Sequence, residues 1–160
     1  MRSLLISFAG TLLLLGTADT ALGAGSDAAA CVALGQTLAD RQEFILETAP
    51  ALTRIEGLPA FCKVRGTAAG RVGFEMRLPL QADWNGRFLL AGCGVFCGQL
   101  LPDKPGYSNS INASLRRGYA AMAHDSGHQA DSTANTDWAR RGDQRAVDLW
   151  AHQVLPELVA

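Results

Sequence analysis

A polar run at residues 124–128 combines groups that could carry out nucleophilic chemistry. It holds His124, Asp125, Ser126 and His128 around Gly127. A serine nucleophile needs a histidine base and an acid that orients the base, joined by hydrogen bonds of about 2.6 to 3.2 Å. Neighbouring residues at a strand end point to opposite faces, so closeness in sequence does not assemble such groups. We therefore interpret the run as a polar turn after a buried strand, in which Gly127 permits the bend.

A glycine-rich run, Gly92–Gly98, contains Cys93 and Cys97 and is the second place where chemistry could occur. Cysteines at this spacing could bind a metal or form a redox pair. A zinc site needs further ligands, however, and a redox pair usually has two intervening residues. With Cys31 and Cys62 the chain has four cysteines, which permit three pairings, and we favour structural disulfides.

The N-terminus indicates the compartment. Arg2 precedes the apolar stretch Leu4–Gly16, and small residues at 21–23 suit cleavage by signal peptidase. We predict a secretory signal peptide over residues 1–23. A membrane anchor is the alternative, but it needs about 20 apolar residues and polar residues interrupt this run earlier. Export makes disulfides the default state of the cysteines.

Residues 24–160 fit one domain of ordinary size, since a domain takes roughly 100 to 150 residues. The composition, 48% hydrophobic and 18% charged, is typical of a globular chain. The formal net charge is -1, and no basic run exceeds Arg140–Arg141. These values argue against a nucleic-acid partner.

The elements that would position the two runs alternate in type. Residues 61–66 and 71–78 alternate apolar with polar side chains, which predicts an antiparallel hairpin turning at Thr67–Gly70. Residues 87–92 form a short apolar run typical of a strand buried on both faces. Residues 112–117 suit a crossover helix that leads to a second apolar strand at 118–125. The hairpin and the strand-helix-strand unit together predict an α/β fold.

The last segment predicts a helix capped by Asp143. Its larger apolar residues recur at helical spacing, and the set is Ala146, Val147, Trp150, Val154 and Leu158. Pro156 lies inside this pattern. A proline in a helix interior removes a hydrogen bond and costs about 3 kcal/mol, so we expect the helix to bend or end near Leu155.

Six short motifs, in order and spacing, resemble the tannase and feruloyl esterase family. They are Trp84–Phe88, Gly92–Gly98, Arg117–Ala120, Asp125–His128, Asp137–Ala139 and Gly142–Asp143. The resemblance extends over roughly residues 31–148. It implies an extracellular or periplasmic serine esterase with an α/β-hydrolase core that acts on esters of phenolic acids.

The resemblance also implies parts that we do not find in this sequence. Family members carry a serine in a Cys-Ser-x-Gly-Gly-like elbow, followed by an aspartate and a histidine. No serine from Ser26 onward lies in such a motif or in Gly-x-Ser-x-Gly, so we assign no catalytic residue. Many relatives bind calcium in a lid region that has no counterpart here, and we expect no cofactor or metal site in residues 24–160.

The stretch after Asp148 departs from the family pattern. We therefore expect residues 24–160 to be the N-terminal fragment of the hydrolase domain, without lid and C-terminal catalytic part. This fits a truncated or frame-shifted product or a fragment, and we expect no esterase activity. The alternative is a small secreted non-catalytic domain that binds an aromatic ligand. A phenolic ester is the expected substrate of the full-length form, and no membrane contact is expected after signal cleavage.

The resemblance assigns an oxyanion-hole role to the glycine-rich run, with backbone NH donors at Gly94 and Val95. Family members commonly have glycine where this chain has Val95. Because a β-branched residue favours negative φ, we expect either ordinary donor geometry there or an altered hole. The competing interpretation is that these glycines only permit tight packing of the turn.

The resemblance further suggests the disulfides Cys31–Cys62 and Cys93–Cys97, although another pairing or an unformed bond remains open. Three tryptophans, Trp84, Trp138 and Trp150, could form an aromatic platform. Because tryptophans are heavily buried on average, we favour a packing role for them.

Overall fold

The computed structural model describes residues 18–140 and 142–159. The predicted signal peptide lies outside these residues up to position 17, and its end falls in the first helix. The helices and strands are α1 (Ala18–Ala39), β1 (Phe44–Leu46), β2 (Ala51–Thr53), β3 (Phe61–Ala68), β4 (Val72–Pro79), β5 (Phe88–Ala91), α2 (Asn112–Arg116), β6 (Ala120–His124), α3 (Asp137–Arg140), α4 (Gln144–Asp148), a π-helical turn (Leu149–Gln153) and α5 (Val154–Val159).

Strands β3 and β4 form the hairpin that the alternating pattern predicts. They pair antiparallel over their full lengths, from Phe61 opposite Pro79 to Ala68 opposite Val72. The strands run further than expected, so the turn is confined to residues 69–71. Gly70 has φ +75°, a value that glycine adopts without steric cost. The short strands β1 and β2 pair with the other edge of β3.

The strand-helix-strand unit is also present. Strand β5 pairs parallel to β6, the short helix α2 precedes β6, and β6 pairs antiparallel to β4. The sheet order is β1-β3-β4-β6-β5, with β2 also paired to β3. This mixed sheet with helices confirms the predicted α/β class.

The prediction that β5 is buried on both faces is wrong. Phe88 and Leu89 are 49% and 37% exposed, although Ala91 is buried. Strand β5 has one neighbour, β6, and lies at the edge of the described sheet. Strand β6, which lies between two strands, is buried at every position from Ala120 to His124. Position in the sheet, which an apolar run does not specify, explains the difference.

The two faces of the sheet carry different cores. One face holds Phe74 and Met122, which pack with Leu149 and Val154 of the C-terminal helical segment. The opposite face holds Ala121 and Ala123, which pack with Ala91, Ile111 and Leu100.

The disulfide Cys31–Cys62 joins α1 to β3, with the two Cα atoms 5.7 Å apart. In the part of the chain that the structure describes, no helix combines the length and apolarity needed to cross a membrane.

The C-terminal segment begins where its cap predicts. The Asp143 carboxylate accepts a hydrogen bond from the Ala146 NH at 3.0 Å and satisfies one of the free amides of the first turn. Of the two outcomes expected near Leu155, a bend or an end, the end does not occur, because the chain stays helical to Val159. A π-helical turn, Leu149–Gln153, stands immediately before the turn that contains Pro156. Such widened turns occur inside α-helices where the regular bonding pattern is interrupted.

Candidate functional site

The loop Gly92–Gly98 follows the end of β5 and is closed on itself. Cys93 and Cys97 are bonded, with their Cα atoms 5.5 Å apart, and the Cys97 NH donates to the Gly94 carbonyl at 3.3 Å. A Cβ at Gly98 would lie 2.5 Å from the Ala130 nitrogen, so only glycine fits there. Glycine thus permits the loop to pack directly on the chain after His128.

The two backbone amides that the resemblance singles out differ in their surroundings. The Gly94 NH donates to the Ser108 hydroxyl oxygen at 2.7 Å. The Val95 NH has no acceptor within the described residues. Val95 itself is 68% exposed. The Val95 NH is therefore free to donate a hydrogen bond to a bound group, whereas the Gly94 NH already donates to Ser108.

The expectation that Val95 avoids positive φ is wrong, because its φ is +58°. This left-handed conformation is strained for a β-branched residue. The surroundings hold it in place, since the Val95 carbonyl accepts a hydrogen bond from Trp150 Nε1 at 3.0 Å. The Cys93–Cys97 disulfide and the final helical segment together impose a backbone conformation that valine does not favour.

The polar run after β6 forms a turn and not a triad. Ser126 and Gly127 both have left-handed φ, +66° and +80°. The Asp125 carboxylate accepts hydrogen bonds from the Gly73 and Gly127 amides, both at 3.0 Å, and from Gln129 at 2.6 Å. Burial is the main cause that raises the pKa of Asp125. This carboxylate anchors the turn to β4, and no bond joins it to a histidine ring.

His124 is the residue of this run whose surroundings the sequence did not reveal. The residue is 3% exposed, and its Nδ1 accepts a hydrogen bond from the Ser126 NH at 3.1 Å. Burial lowers the pKa of His124 to about 4, so the ring is neutral at pH 7. Its Nε2 is buried and has no hydrogen-bond partner in the described structure. The one available signal was a histidine that continues an otherwise apolar strand.

Aromatic rings form a layer beside the loop. His128 stacks on Trp138 with ring centroids 3.9 Å apart, and Trp150 lies 6.0 Å from Trp138 and 5.4 Å from Phe96. Trp138 is buried, as a packing role requires. Trp150 and Trp84 are 36% and 47% exposed, so the expectation of burial is wrong for both.

A cleft of about 200 Å³ separates the loop from the C-terminal helical segment. It is lined by Gly92, Cys93, His124, Ser126, Trp150, Ala151, His152, Val154 and Leu155. A second, mostly apolar cleft of about 260 Å³ lies between α1 and the sheet and includes the disulfide Cys31–Cys62 and Trp84. Among the described residues, no group of three or more histidine, cysteine, aspartate or glutamate side chains is placed to hold a metal ion.

Comparisons with known proteins agree with the predicted family and fold. The family model described as "Tannase and feruloyl esterase" matches residues 54–160. The expectation that the stretch after Asp148 departs from the family pattern is therefore wrong. The chain is 36% identical over 117 residues to an uncharacterised esterase of Xanthomonas campestris. The alignment covers 71% of this chain and 19% of the relative. It is 32% identical over 99 residues to a mono(2-hydroxyethyl) terephthalate hydrolase of Piscinibacter sakaiensis. That alignment covers 57% of this chain and 16% of the relative.

Solved structures support the same architecture. Feruloyl esterase B from Aspergillus oryzae aligns with a TM-score of 0.56 at 18% identity, covering 80% of this chain and 26% of that one. An esterase from the same organism aligns with a TM-score of 0.54 at 17% identity, covering 80% and 27%. The sheet is therefore part of an α/β-hydrolase-type fold. The chain spans about a fifth of the length of the curated relatives it matches.

Proposed function

The chain belongs to the tannase and feruloyl esterase family, and from that premise we propose that residues 24–160 are the N-terminal part of a serine hydrolase for carboxylic esters of aromatic acids. The relatives, an uncharacterised esterase and a hydrolase of a terephthalate ester, support this reaction class. The substrate in the whole protein is an ester of a phenolic or related aromatic acid. The comparisons give no support to the alternative of a non-catalytic binding domain.

The observation that carries the proposal is the constrained loop after β5, beside the cleft. Ester hydrolysis develops negative charge on the carbonyl oxygen, and pre-positioned backbone amides stabilise that charge. The Val95 NH has no acceptor in the described structure. We assign it as one oxyanion donor. The Gly94 NH becomes a second donor when the Ser108 hydroxyl, which now accepts from it, turns away.

These 160 residues by themselves should not turn over an ester. The sequence holds no serine in a nucleophile-elbow motif. The Ser126 backbone NH, and not its hydroxyl, makes the contact with His124. His124 keeps its proton on Nε2, because Nδ1 is the acceptor in that contact. A ring in this state is not poised to take a proton from Ser126.

Export is the second part of the proposal. The predicted leader of residues 1–23 and two disulfides in the folded part suit an oxidising compartment. We place the protein in the periplasm or outside the cell. A charge near neutrality gives it no basis for binding nucleic acid.

The test compares the chain with a chimera. In the chimera, this chain replaces the aligned 117 residues of the Xanthomonas esterase. We expect no hydrolysis of methyl ferulate or methyl gallate by the chain and measurable hydrolysis by the chimera. Turnover by the chain alone, or a folded but inactive chimera, contradicts the proposal.

A pair of chimera variants tests the donor directly. Replacing the Val95 amide by a backbone ester, with the α-hydroxy analogue of valine at this position, removes the NH but leaves φ +58° accessible, and it should lower kcat about 10²- to 10³-fold, the usual cost of losing one oxyanion donor. Val95→Gly keeps the amide and accepts φ +58°, so it should retain activity. Equal activity of the two variants, with unchanged circular dichroism, would remove Val95 from the oxyanion hole.

A further inference from the structure

Asn109 is a buried polar side chain to which the oxyanion role gives no part. It is 0% exposed, the lowest value among the buried polar residues of the described chain. Its Nδ2 donates to the Gln99 carbonyl at 2.7 Å and to the His124 carbonyl at 3.2 Å, and it lies 3.5 Å from Cys93 Sγ. One NH2 group therefore contacts the two ends of the loop Gly92–Gly98 and ties them to the end of β6.

The neighbours of Asn109 fix which way its amide points. Carbonyl oxygens only accept hydrogen bonds, so the group that faces Gln99 and His124 must be the NH2. Oδ1 then faces away, and it is buried without a partner in the described structure. Such an atom costs about 1 to 3 kcal/mol. Asparagine is therefore favourable here through its donors, and the Gln99 carbonyl accepts from no other NH in the described structure.

The loop that Asn109 contacts has a strained backbone. Val95 has φ +58°, and such a conformation persists only where several contacts enforce it. The Cys93–Cys97 disulfide closes the loop on itself but does not attach it to the sheet. Ser108, the residue before Asn109, adds a contact, since its hydroxyl accepts from the Gly94 NH at 2.7 Å. These two neighbours thus hold the loop and its end at three points, which are Cys93, Gly94 and Gln99.

We propose that Asn109 is a positioning residue for ester hydrolysis, which fixes the loop against β6 so that Val95 keeps its left-handed conformation and a free NH. The inference rests on the proposed function, because a free amide matters to the reaction only if an oxyanion forms beside it. The disulfide sets the internal shape of the loop, and Asn109 sets its place on the sheet. Asn109 lines neither cleft, so it acts through the loop.

The purified full chain, labelled with ¹⁵N, reports the position of the loop by NMR without any turnover. In wild type, the Asn109 side-chain NH2 should exchange with solvent at least about tenfold more slowly than that of the exposed Asn85. A strong NOE between the Val95 NH and its own Hα should mark positive φ. Asn109→Ala removes the donors and should weaken that NOE, because the loop then samples negative φ.

Asn112→Ala is the matched control for an asparagine with a structural role. Asn112 belongs to a different cluster, in which it accepts from Arg77 and donates to Asp103 at 3.2 Å. Losing these bonds should lower the melting temperature. The Val95 NOE should nevertheless stay as in wild type, because the hydrogen bonds of the Asn112 side chain do not reach the loop.

Kinetics of the chimera separate a positioning role from a structural one. Asn109→Ala should lower kcat about 10- to 100-fold, as expected when an oxyanion donor is misplaced, and change KM by less than about twofold. Asn112→Ala should leave both within about twofold. Asn109→Asp matches asparagine in size, and its carboxyl has one donor hydrogen when protonated and none when ionised. Its kcat, relative to that of the unsubstituted chimera, should therefore fall as pH rises.

Three outcomes overturn the positioning role. They are fast solvent exchange of the Asn109 NH2 in wild type, an unchanged Val95 NOE in Asn109→Ala, and equal kcat for the Asn109→Ala and Asn112→Ala chimeras. If no Asn109 variant folds, the wild-type exchange rate and NOE decide. An inactive unsubstituted chimera, with an Asn109-dependent NOE in the chain, refutes the proposed function alone. An active chimera whose kcat does not depend on Asn109 refutes the positioning role alone.

Discussion

The two faces of the sheet bury polar groups in opposite ways. On the face of Ala121 and Ala123, Glu75 and Arg77 of β4 are each 1% exposed and almost fully paired. Arg77 donates to Glu75 at 2.6 and 2.8 Å, to Asp103 at 2.9 and 3.0 Å, and also to Asn112. On the other face, His124 of β6 is equally enclosed and leaves Nε2 without a partner.

The difference separates a paired structural cluster from a buried ring that leaves one nitrogen unpaired. The Arg77 cluster ties β4 to the loop before α2, and its hydrogen bonds lower the pKa of Asp103. Buried charges are tolerated when they are paired in this way. The neutral His124 ring holds no tertiary element together through Nε2.

The largest expected effect concerns the Arg77 cluster. Arg77→Met leaves the Glu75 carboxylate buried without its main partner and should lower the free energy of unfolding by about 3 to 5 kcal/mol. Urea denaturation measures this loss. Removing both charges, with Glu75→Gln and Arg77→Met together, should recover part of it.

The matched control is Arg65→Met on the neighbouring strand. Arg65 is only half-buried, and it pairs with Glu47 at 2.8 Å and Glu75 at 3.2 Å. Its loss should cost about 1 kcal/mol or less, as for most exposed ion pairs. If Arg65→Met and Arg77→Met cost the same, burial of the cluster is not what makes it structural.

The next largest effect concerns His124, on the opposite face of the sheet, and its response to acid. The pKa of His124 is about 4 in the folded chain, against about 6.5 for an unfolded histidine. As pH falls below 6.5, the unfolded chain takes up a proton that the folded chain does not. The free energy of unfolding should therefore fall by about 3 kcal/mol between pH 7 and pH 4 through this residue alone.

The variant His124→Gln isolates that contribution, because the carboxylates and His128 titrate in both proteins. Denaturation is measured at pH 7, 5.5 and 4. Over this range the free energy of unfolding should fall further for wild type than for the variant. Parallel pH profiles would show that His124 is accessible to protons in the folded state. The contrast between the two faces would then be lost.

The smallest effect lies in the backbone near the cleft. Val95 and Ser126 both have left-handed φ and both adjoin the cleft region. Val95→Gly removes the steric strain but adds flexibility to the unfolded chain, so we expect a net gain of about 0.5 to 1 kcal/mol. The melting temperature should rise.

Ala134→Gly is the comparison for this change. Ala134 is an exposed turn residue whose φ is not in the left-handed region. Glycine there should lower stability by several tenths of a kcal/mol. A loss of stability at both positions would mean that Val95 is not strained.

Several features followed from residue order alone, because their causes are local. The alternation of apolar and polar residues over 61–78 specifies a hairpin, whatever other strands join the sheet. The Asp143 carboxylate likewise binds an amide only three residues away. The run of short motifs between Trp84 and Asp143 was sufficient to predict the family. The continuity of the last helix did not follow, because the π-helical turn before Pro156 depends on how the segment packs.

Tertiary structure alone decided the character of the site. Residue order gave no sign that β5 lies at a sheet edge, that Val95 is held at positive φ by a bond from Trp150, or that His124 lacks an acceptor. Each depends on contacts between residues distant along the chain. Local pattern sets which groups are present, and long-range packing sets which of their hydrogen bonds remain open for chemistry.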